Sequence, residues 1–266
     1  MMIHEPQRTA ILTALEEIER DRGLRVLFAC ESGSRAWGFA SRDSDYDVRF
    51  IYAYPAESYL KLRGPVDAFD LQMEGDLDLG GWDVRKTAEL MRRSNPPLME
   101  WLDSPIVYRA APGMHERLLD LRSLYFDAKK ASFHYLSMAV NVWRTHLEHE
   151  PRPVRKKYLY ALRPLACVRY IAAHQTQPPT AFEAVLEGID WPAPVMNAVR
   201  ALVEEKKQDV ELGASEPDAV LNELIAGGLI ECEALAAAMP SNDVSNEALD
   251  EFLRDTILNQ TIRCGA

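Results

Sequence analysis

Asp43, Asp45 and Asp47 stand at alternate positions in ESGSRAWGFASRDSDYDVRF, residues 31 to 50, at the start of an apolar run. Carboxylates at that density beside a segment that must be buried are costly unless a cation or solvent receives them. In an extended chain the side chains alternate between faces, so Asp45 and Asp47 point one way and Tyr46 and Val48 the other. Two carboxylates on one strand face make a hard oxygen site. It suits Mg²⁺ or Mn²⁺ far better than Zn²⁺, since the stretch contains no His or Cys. Upstream, Gly33 and Ser34 occupy the turn after a first apolar run. Glycine lets backbone N–H groups approach a phosphate closely, and a serine hydroxyl adds a donor.

A third acid is expected from a later strand. Asp78, in DLDL at 76 to 79, is flanked by Leu77 and Leu79, and strand alternation aims it at the surface that carries Asp45 and Asp47 if the strands are neighbours. Asp76 shares its face two residues earlier. Asp83 competes for the role, although its place before a helix favours capping. Arg35 and Arg42 lie in the same turn as Ser34, where phosphate contact competes with solvation or pairing. Glu31 either orients Arg35 or belongs to the surface.

These residues need elements to hold them. Residues 6 to 22 have the periodicity of an amphipathic helix closed by Gly23. LRVLFAC, 24 to 30, reads as a buried strand, and DYDVRFIYAY, 45 to 54, as a second one ended by Pro55. A third strand is expected at 76 to 80, stopped by Gly80 and Gly81, followed by a helix from 83 to 94 that Asn95-Pro96-Pro97 breaks. A short helix and an extended PIVYR come next. From about residue 112 helical periodicity dominates, over 114–124, 127–148, 153–174, 180–187, 192–211, 216–238 and 246–260. The expectation is an α+β chain: a small mixed α/β unit over 1–111, then a helical domain over 112–266.

The chain has 266 residues, a formal net charge of −11 and 47% hydrophobic residues, enough to bury a real core. The acidic balance disfavours non-specific nucleic-acid binding, which rests on phosphate neutralisation. RPVRKKYLYALR, 152 to 163, is nevertheless a basic segment without an acid. No run of eighteen apolar residues predicts a membrane span. The first 23 residues lack a charged start followed by an apolar block, so no signal peptide is expected. Cys30, Cys167, Cys232 and Cys264 are scattered and form no metal-ligand pair, which fits free thiols in a cytoplasmic protein. His134, His146, His149 and His174 have no ligand-like spacing. Lys206 and Lys207 read as solvated. Trp37, Trp82 and Trp101 read as core aromatics, with base stacking as the rival for Trp37.

Gly-Ser, then Asp-x-Asp on a strand, then Asp between hydrophobics on a later strand, resembles the DNA polymerase β-like nucleotidyltransferase superfamily. More narrowly, ESGSRAWGFASRDSDYDVRFIY, DLDLGGWDVRK, RRSNPPLMEWLDSPIVYR and RKKYLYALRPLACVRYI are similar to a bacterial and phage family of predicted nucleotidyltransferases linked to RNA repair. The likeness spans residues 24 to about 212. It implies a mixed twisted sheet with helices on one face and the metal site on the other. It also implies two Mg²⁺ ions on Asp45 and Asp47, with Asp78 binding the first ion and helping to activate a hydroxyl. Gly33 and Ser34 would hold the triphosphate. Lys157 and Arg163 match family positions that contact triphosphate or substrate, yet six positions apart they diverge by about 120° round a helix.

The expected activity is transfer of a nucleoside monophosphate from an NTP to a hydroxyl on an RNA end, a small molecule or a protein, releasing pyrophosphate. Two ions about 3.5–4 Å apart stabilise both the entering and departing oxygens in such displacements. An antitoxin-like transferase that nucleotidylates a protein partner is one rival, and a non-catalytic nucleotide-binding module is another. The oligomeric state is left open.

Overall fold

The structure is a computed structural model that describes residues 3–72, 76–208 and 213–258. Gly75, Cys264 and the expected helical ends at 209–211 and 259–260 lie outside the described residues.

Helix α1 (Glu5–Arg22) begins with a proline in its first turn and ends at Gly23, whose φ of 61° is the left-handed conformation a helix-closing glycine takes. Strand β1 (Arg25–Glu31) follows, then the short helix α2 (Gly33–Trp37) and strand β2 (Tyr46–Ala53). After α3 (Ala56–Tyr59), strands β3 (Ala68–Gln72) and β4 (Leu77–Asp83) lead to α4 (Val84–Arg92), α5 (Pro96–Leu102) and β5 (Val107–Ala110). The five strands form one sheet in the order β3-β4-β2-β1-β5. β2 and β4 run parallel; the other neighbouring pairs are antiparallel. The architecture is therefore a mixed sheet followed by a run of helices, as expected.

Alternation along β2 divides the apolar residues between two layers. Val48, Phe50 and Tyr52 pack with Ile11, Leu15 and Ile18 of α1. Ile51 and Ala53 pack on the opposite side, with Val84, Leu98 and Trp101 of α4 and α5. Helices thus cover both faces, in contrast to the one-sided arrangement that the resemblance implies. Asp47 and Arg49 share the face of Ile51 and occupy its open end.

Two local readings change. β4 does not stop at Gly80 and Gly81; it continues to Asp83. The glycines serve close packing, because a Cβ on Gly81 would stand 2.4 Å from the Phe50 ring on the neighbouring strand. β3 is a further strand that the sequence reading passed over: AFDLQ is short, and its pairing with β4 comes from tertiary context.

The helices that follow are α6 (Met114–Tyr125), α7 (Ala128–His146), α8 (Lys156–His174), α9 (Phe182–Glu187), α10 (Ala193–Lys207), α11 (Ala219–Ala238) and α12 (Glu247–Leu258). Helices α7 to α11 build their own core around Tyr135, Leu162, Phe182, Leu202 and Ile225, and Phe39 from the loop after α2 inserts into it. α6 and α12, both beyond residue 111, place Leu118, Leu249 and Phe252 in the core beneath the sheet. No helix among the described residues is long and apolar enough to cross a membrane. Cys30, Cys167 and Cys232 are buried free thiols.

Candidate active site

The site begins where β1 ends. Gly33 opens α2 with φ at 58°, and a Cβ there would stand 2.0 Å from Asp47 Oδ2. Both the backbone angle and the space therefore require glycine. The Ser32 N–H donates to the Asp47 carbonyl at 2.8 Å and stitches the turn to β2. Ser34, in the first turn of α2, faces the cleft.

In the parallel ladder Asp47 is opposite Asp78 and Tyr46 opposite Leu77, so the two carboxylates stand on adjacent strands at the same level. Between them lies Arg49. Its Nη2 donates to Asp47 Oδ1 at 3.1 Å and to Asp78 Oδ2 at 2.8 Å. Its Nη1 donates to the carbonyls of Val48 at 3.1 Å and Asp78 at 3.2 Å. Gly80 gives the arginine stem its room, since a Cβ there would come within 3.1 Å of Arg49 Cδ. Sequence reasoning missed Arg49, although the signal was present: Asp45, Asp47 and Arg49 follow one another at the two-residue period of a strand face.

The Asp47 carboxyl is pushed above its usual range, first by burial; Arg49 opposes the shift, and repulsion from Asp78 and Asp45 adds to it. Glu31 takes neither of its expected roles. It is buried, its Oε1 accepts the Asp47 N–H at 3.0 Å and its Oε2 accepts the Tyr108 hydroxyl at 2.5 Å. Burial raises its carboxyl to about 7.

Among the competitors for the third acid, Asp83 is buried at the far end of β4. Its Oδ1 caps α4 by accepting the Arg85 N–H at 2.9 Å, and its Oδ2 accepts the Tyr59 hydroxyl at 2.7 Å. Asp76 is exposed, and its carbonyl accepts the Tyr46 N–H. Only Asp78 is beside Asp47.

The expected basic contacts are redistributed. Arg35 is buried: its Nε donates to the Asp45 carbonyl at 3.1 Å and its Nη2 to the Ser44 carbonyl at 2.5 Å, with the guanidinium 3.9 Å from the centre of the Tyr46 ring. It braces the acidic loop and does not line the cleft. Arg42 is exposed on that loop, also outside the cleft lining. Arg163 is buried in the helical core, paired with Glu100 Oε1 at 2.9 Å and set 4.4 Å from the centre of the Trp37 ring. Glu100 also accepts the Trp37 indole N–H at 3.0 Å and the Tyr135 hydroxyl at 2.8 Å. Arg163 therefore joins two walls from within, and one side of the Trp37 ring is taken by it. Trp82 stacks on Trp101 with ring centres 3.8 Å apart.

The cleft itself holds about 400 Å³. Ser34, Asp45, Asp47 and Arg49 line the sheet side, and Lys156, Tyr160 and Lys206 the helical side. Lys157, one residue on, instead sits 5.6 Å from the Tyr160 ring centre. Lys206 donates to Ser41 Oγ at 2.7 Å, so it bridges α10 to the acidic loop and is not simply solvated. Lys207 pairs with Glu204 on the surface.

Asp47 and Asp78 offer oxygen donors of the type that hard dications prefer, and the charge they already attract at their midpoint is a cation. The residues thus fit Mg²⁺ or Mn²⁺. Among the described residues no three carboxylate, imidazole or thiolate groups enclose a ready-made metal position.

A Gly-Ser turn packed against an Asp-x-Asp strand, with a further Asp on the parallel neighbour and a helical unit closing the cleft, is the arrangement of a polymerase β-like nucleotidyltransferase. Residues 7–255 match the RNA repair pathway DNA polymerase beta family, and the chain belongs to that family. It is 37% identical over 249 residues, 94% of each chain, to the uncharacterized protein YcgL of Bacillus subtilis (strain 168). Among solved structures, a nucleotidyltransferase-like protein from Exiguobacterium sibiricum 255-15 aligns over 95% of this chain and 80% of its own, with 12% identity and a TM-score of 0.29.

Proposed function

We propose that the protein transfers a nucleoside monophosphate from an NTP to a hydroxyl, with release of pyrophosphate. The observation that carries this reading is the pairing of Asp47 with Asp78 across parallel strands, with Asp47 beside Gly33 and Ser34 in a cleft whose other wall presents Lys156 and Lys206. Asp45, Asp47 and Asp78 would hold Mg²⁺, with Mn²⁺ as a substitute. Bound metal would supply charge neutralisation of the triphosphate and of the oxygens that gain charge during transfer.

The protein's own groups account for the rest. The Ser34 hydroxyl donates to a phosphate oxygen. Lys156 and Lys206 neutralise the triphosphate from the opposite wall, so the substrate is gripped from both sides and aligned. The acceptor hydroxyl attacks the α-phosphorus, the bond to the bridging oxygen breaks, and pyrophosphate leaves with the electron pair. Asp78 receives the proton of the acceptor hydroxyl. A terminal hydroxyl of RNA is the favoured acceptor, on the strength of the family's description and of the basic wall.

Incubation with each α-labelled NTP, Mg²⁺ and total RNA or total protein tests the reading. Label should appear in RNA and should vanish with Asp47→Asn. Label in protein alone would reassign the acceptor. No label in any fraction, with the variant and the native chain alike, would leave a nucleotide-binding module.

A further inference from the structure

Arg49 occupies the interval that a dication would need. Its guanidinium reaches both Asp47 Oδ1 and Asp78 Oδ2, and those two oxygens belong to the groups that the proposed activity assigns to metal. The contact has been accommodated by the fold around it. Gly80 leaves space for the stem, and the carbonyls of Val48 and Asp78 hold the second nitrogen. Without a positive charge there, Asp47 and Asp78 would face each other at the same level of neighbouring strands, with Asp45 adding a third like charge.

We infer that Arg49 is a resident cation which stabilises the metal-free site and which a divalent ion must displace in order to bind. The inference rests on the reading of Asp47 and Asp78 as metal ligands. Its physical content is a competition. The guanidinium carries one charge and donates along fixed directions; the dication carries two and accepts lone pairs from the same oxygens. Part of the metal's binding energy is therefore used to break two charge-assisted hydrogen bonds. The displaced side chain is already in the cleft lining, where a phosphate oxygen of the NTP is the natural new acceptor. Metal and nucleotide would then load the site together, and metal alone would bind weakly.

Calorimetric titration of Mn²⁺ into the native chain, Arg49→Gln, Arg49→Lys, Asp47→Asn and Asp78→Asn decides the matter, with thermal unfolding of each in EDTA and in Mn²⁺. The expected result is Mn²⁺ affinity raised about tenfold in Arg49→Gln, near native in Arg49→Lys, and lost in both aspartate variants. Arg49→Gln should melt below the native chain in EDTA and gain more than it does from Mn²⁺. A purely structural Arg49 would lower the melting temperature equally with and without Mn²⁺, and would leave or weaken the affinity; that outcome, with Asp47→Asn still abolishing binding, overturns the inference and spares the metal reading. Unchanged Mn²⁺ binding in Asp47→Asn and Asp78→Asn would overturn both. If Arg49→Gln does not fold, Arg49→Lys carries the comparison: Mn²⁺ affinity well below native in that folded variant contradicts displacement.

Discussion

Gly33 and Asp47 are in such close approach that a single added carbon on the glycine would overlap the carboxylate oxygen at 2.0 Å. Either the acid or the turn must move. Gly33→Ala should lower turnover at least a hundredfold, and its left-handed backbone adds a cost of roughly 1–2 kcal/mol. Gly38 is the control. Its φ of 86° carries the same conformational cost, but no atom lies within 4 Å of its added Cβ. Gly38→Ala should lose comparable backbone stability in a urea titration and keep most of its activity.

The two candidates at opposite ends of β4 should separate cleanly. Asp78→Asn should abolish turnover with a small change in melting temperature. Asp83→Ala removes a helix cap and leaves the buried Tyr59 hydroxyl without its acceptor, for a loss of about 1–3 kcal/mol with chemistry retained. Urea titration and single-turnover assays on the two variants make the comparison.

Stability should depend on pH through Glu31. Its carboxyl stands near 7 in the fold against an ordinary 4.5, so between those values the folded chain keeps a proton that the unfolded chain has released. The stability is complete below the lower value and is lost as pH rises to the higher one. Its size is at most ~3 kcal/mol. Glu31→Gln should flatten the change in urea midpoint between pH 5 and pH 8 in EDTA. An unaltered slope would remove Glu31 as its source.

Arg163, which the family resemblance places at the triphosphate, is instead buried against Glu100, while Lys156 lines the cleft. Arg163→Met leaves the buried Glu100 carboxyl without its cation, which should cost about 3–5 kcal/mol, and the double variant with Glu100→Gln should recover part of it. Were Arg163 a phosphate contact, the KM for NTP would rise while the urea midpoint held.

Lys156→Ala should raise the KM for NTP about tenfold with little change in stability, and added salt should weaken the native chain toward the variant. Lys157→Ala should leave the KM within a factor of two. A reversed order would return the contact to the position matched by sequence.

The acids were legible because their signal is local. Strand alternation alone put Asp45 and Asp47 on one side, and two flanking leucines put Asp78 in a strand. The helices from residue 114 onward were equally legible from their apolar period. What escaped were features decided between elements. Lys156 and Lys157 differ by one residue, and only the rotation of α8 about its axis chooses between them. Arg163 looks like a surface cation until Glu100, distant in sequence, is brought to it. Gly80 and Gly81 carry the composition of a turn, yet a neighbouring Phe50 and Arg49 are what demand their small size.

Leu249 and Phe252 of α12 lie in the same apolar layer as β1 and β2. Synthesis on the ribosome proceeds from the other end, so the sheet emerges long before the helix that finishes its underside. Through most of translation Leu118 and its neighbours would face a gap that only the last described helix can fill. The sheet therefore reaches its final packing only after α12 has been made. The nascent chain has to shield an unfinished hydrophobic surface until α12 clears the exit tunnel, and a message truncated ahead of residue 247 would yield a chain suited to chaperones and proteases rather than to nucleotides.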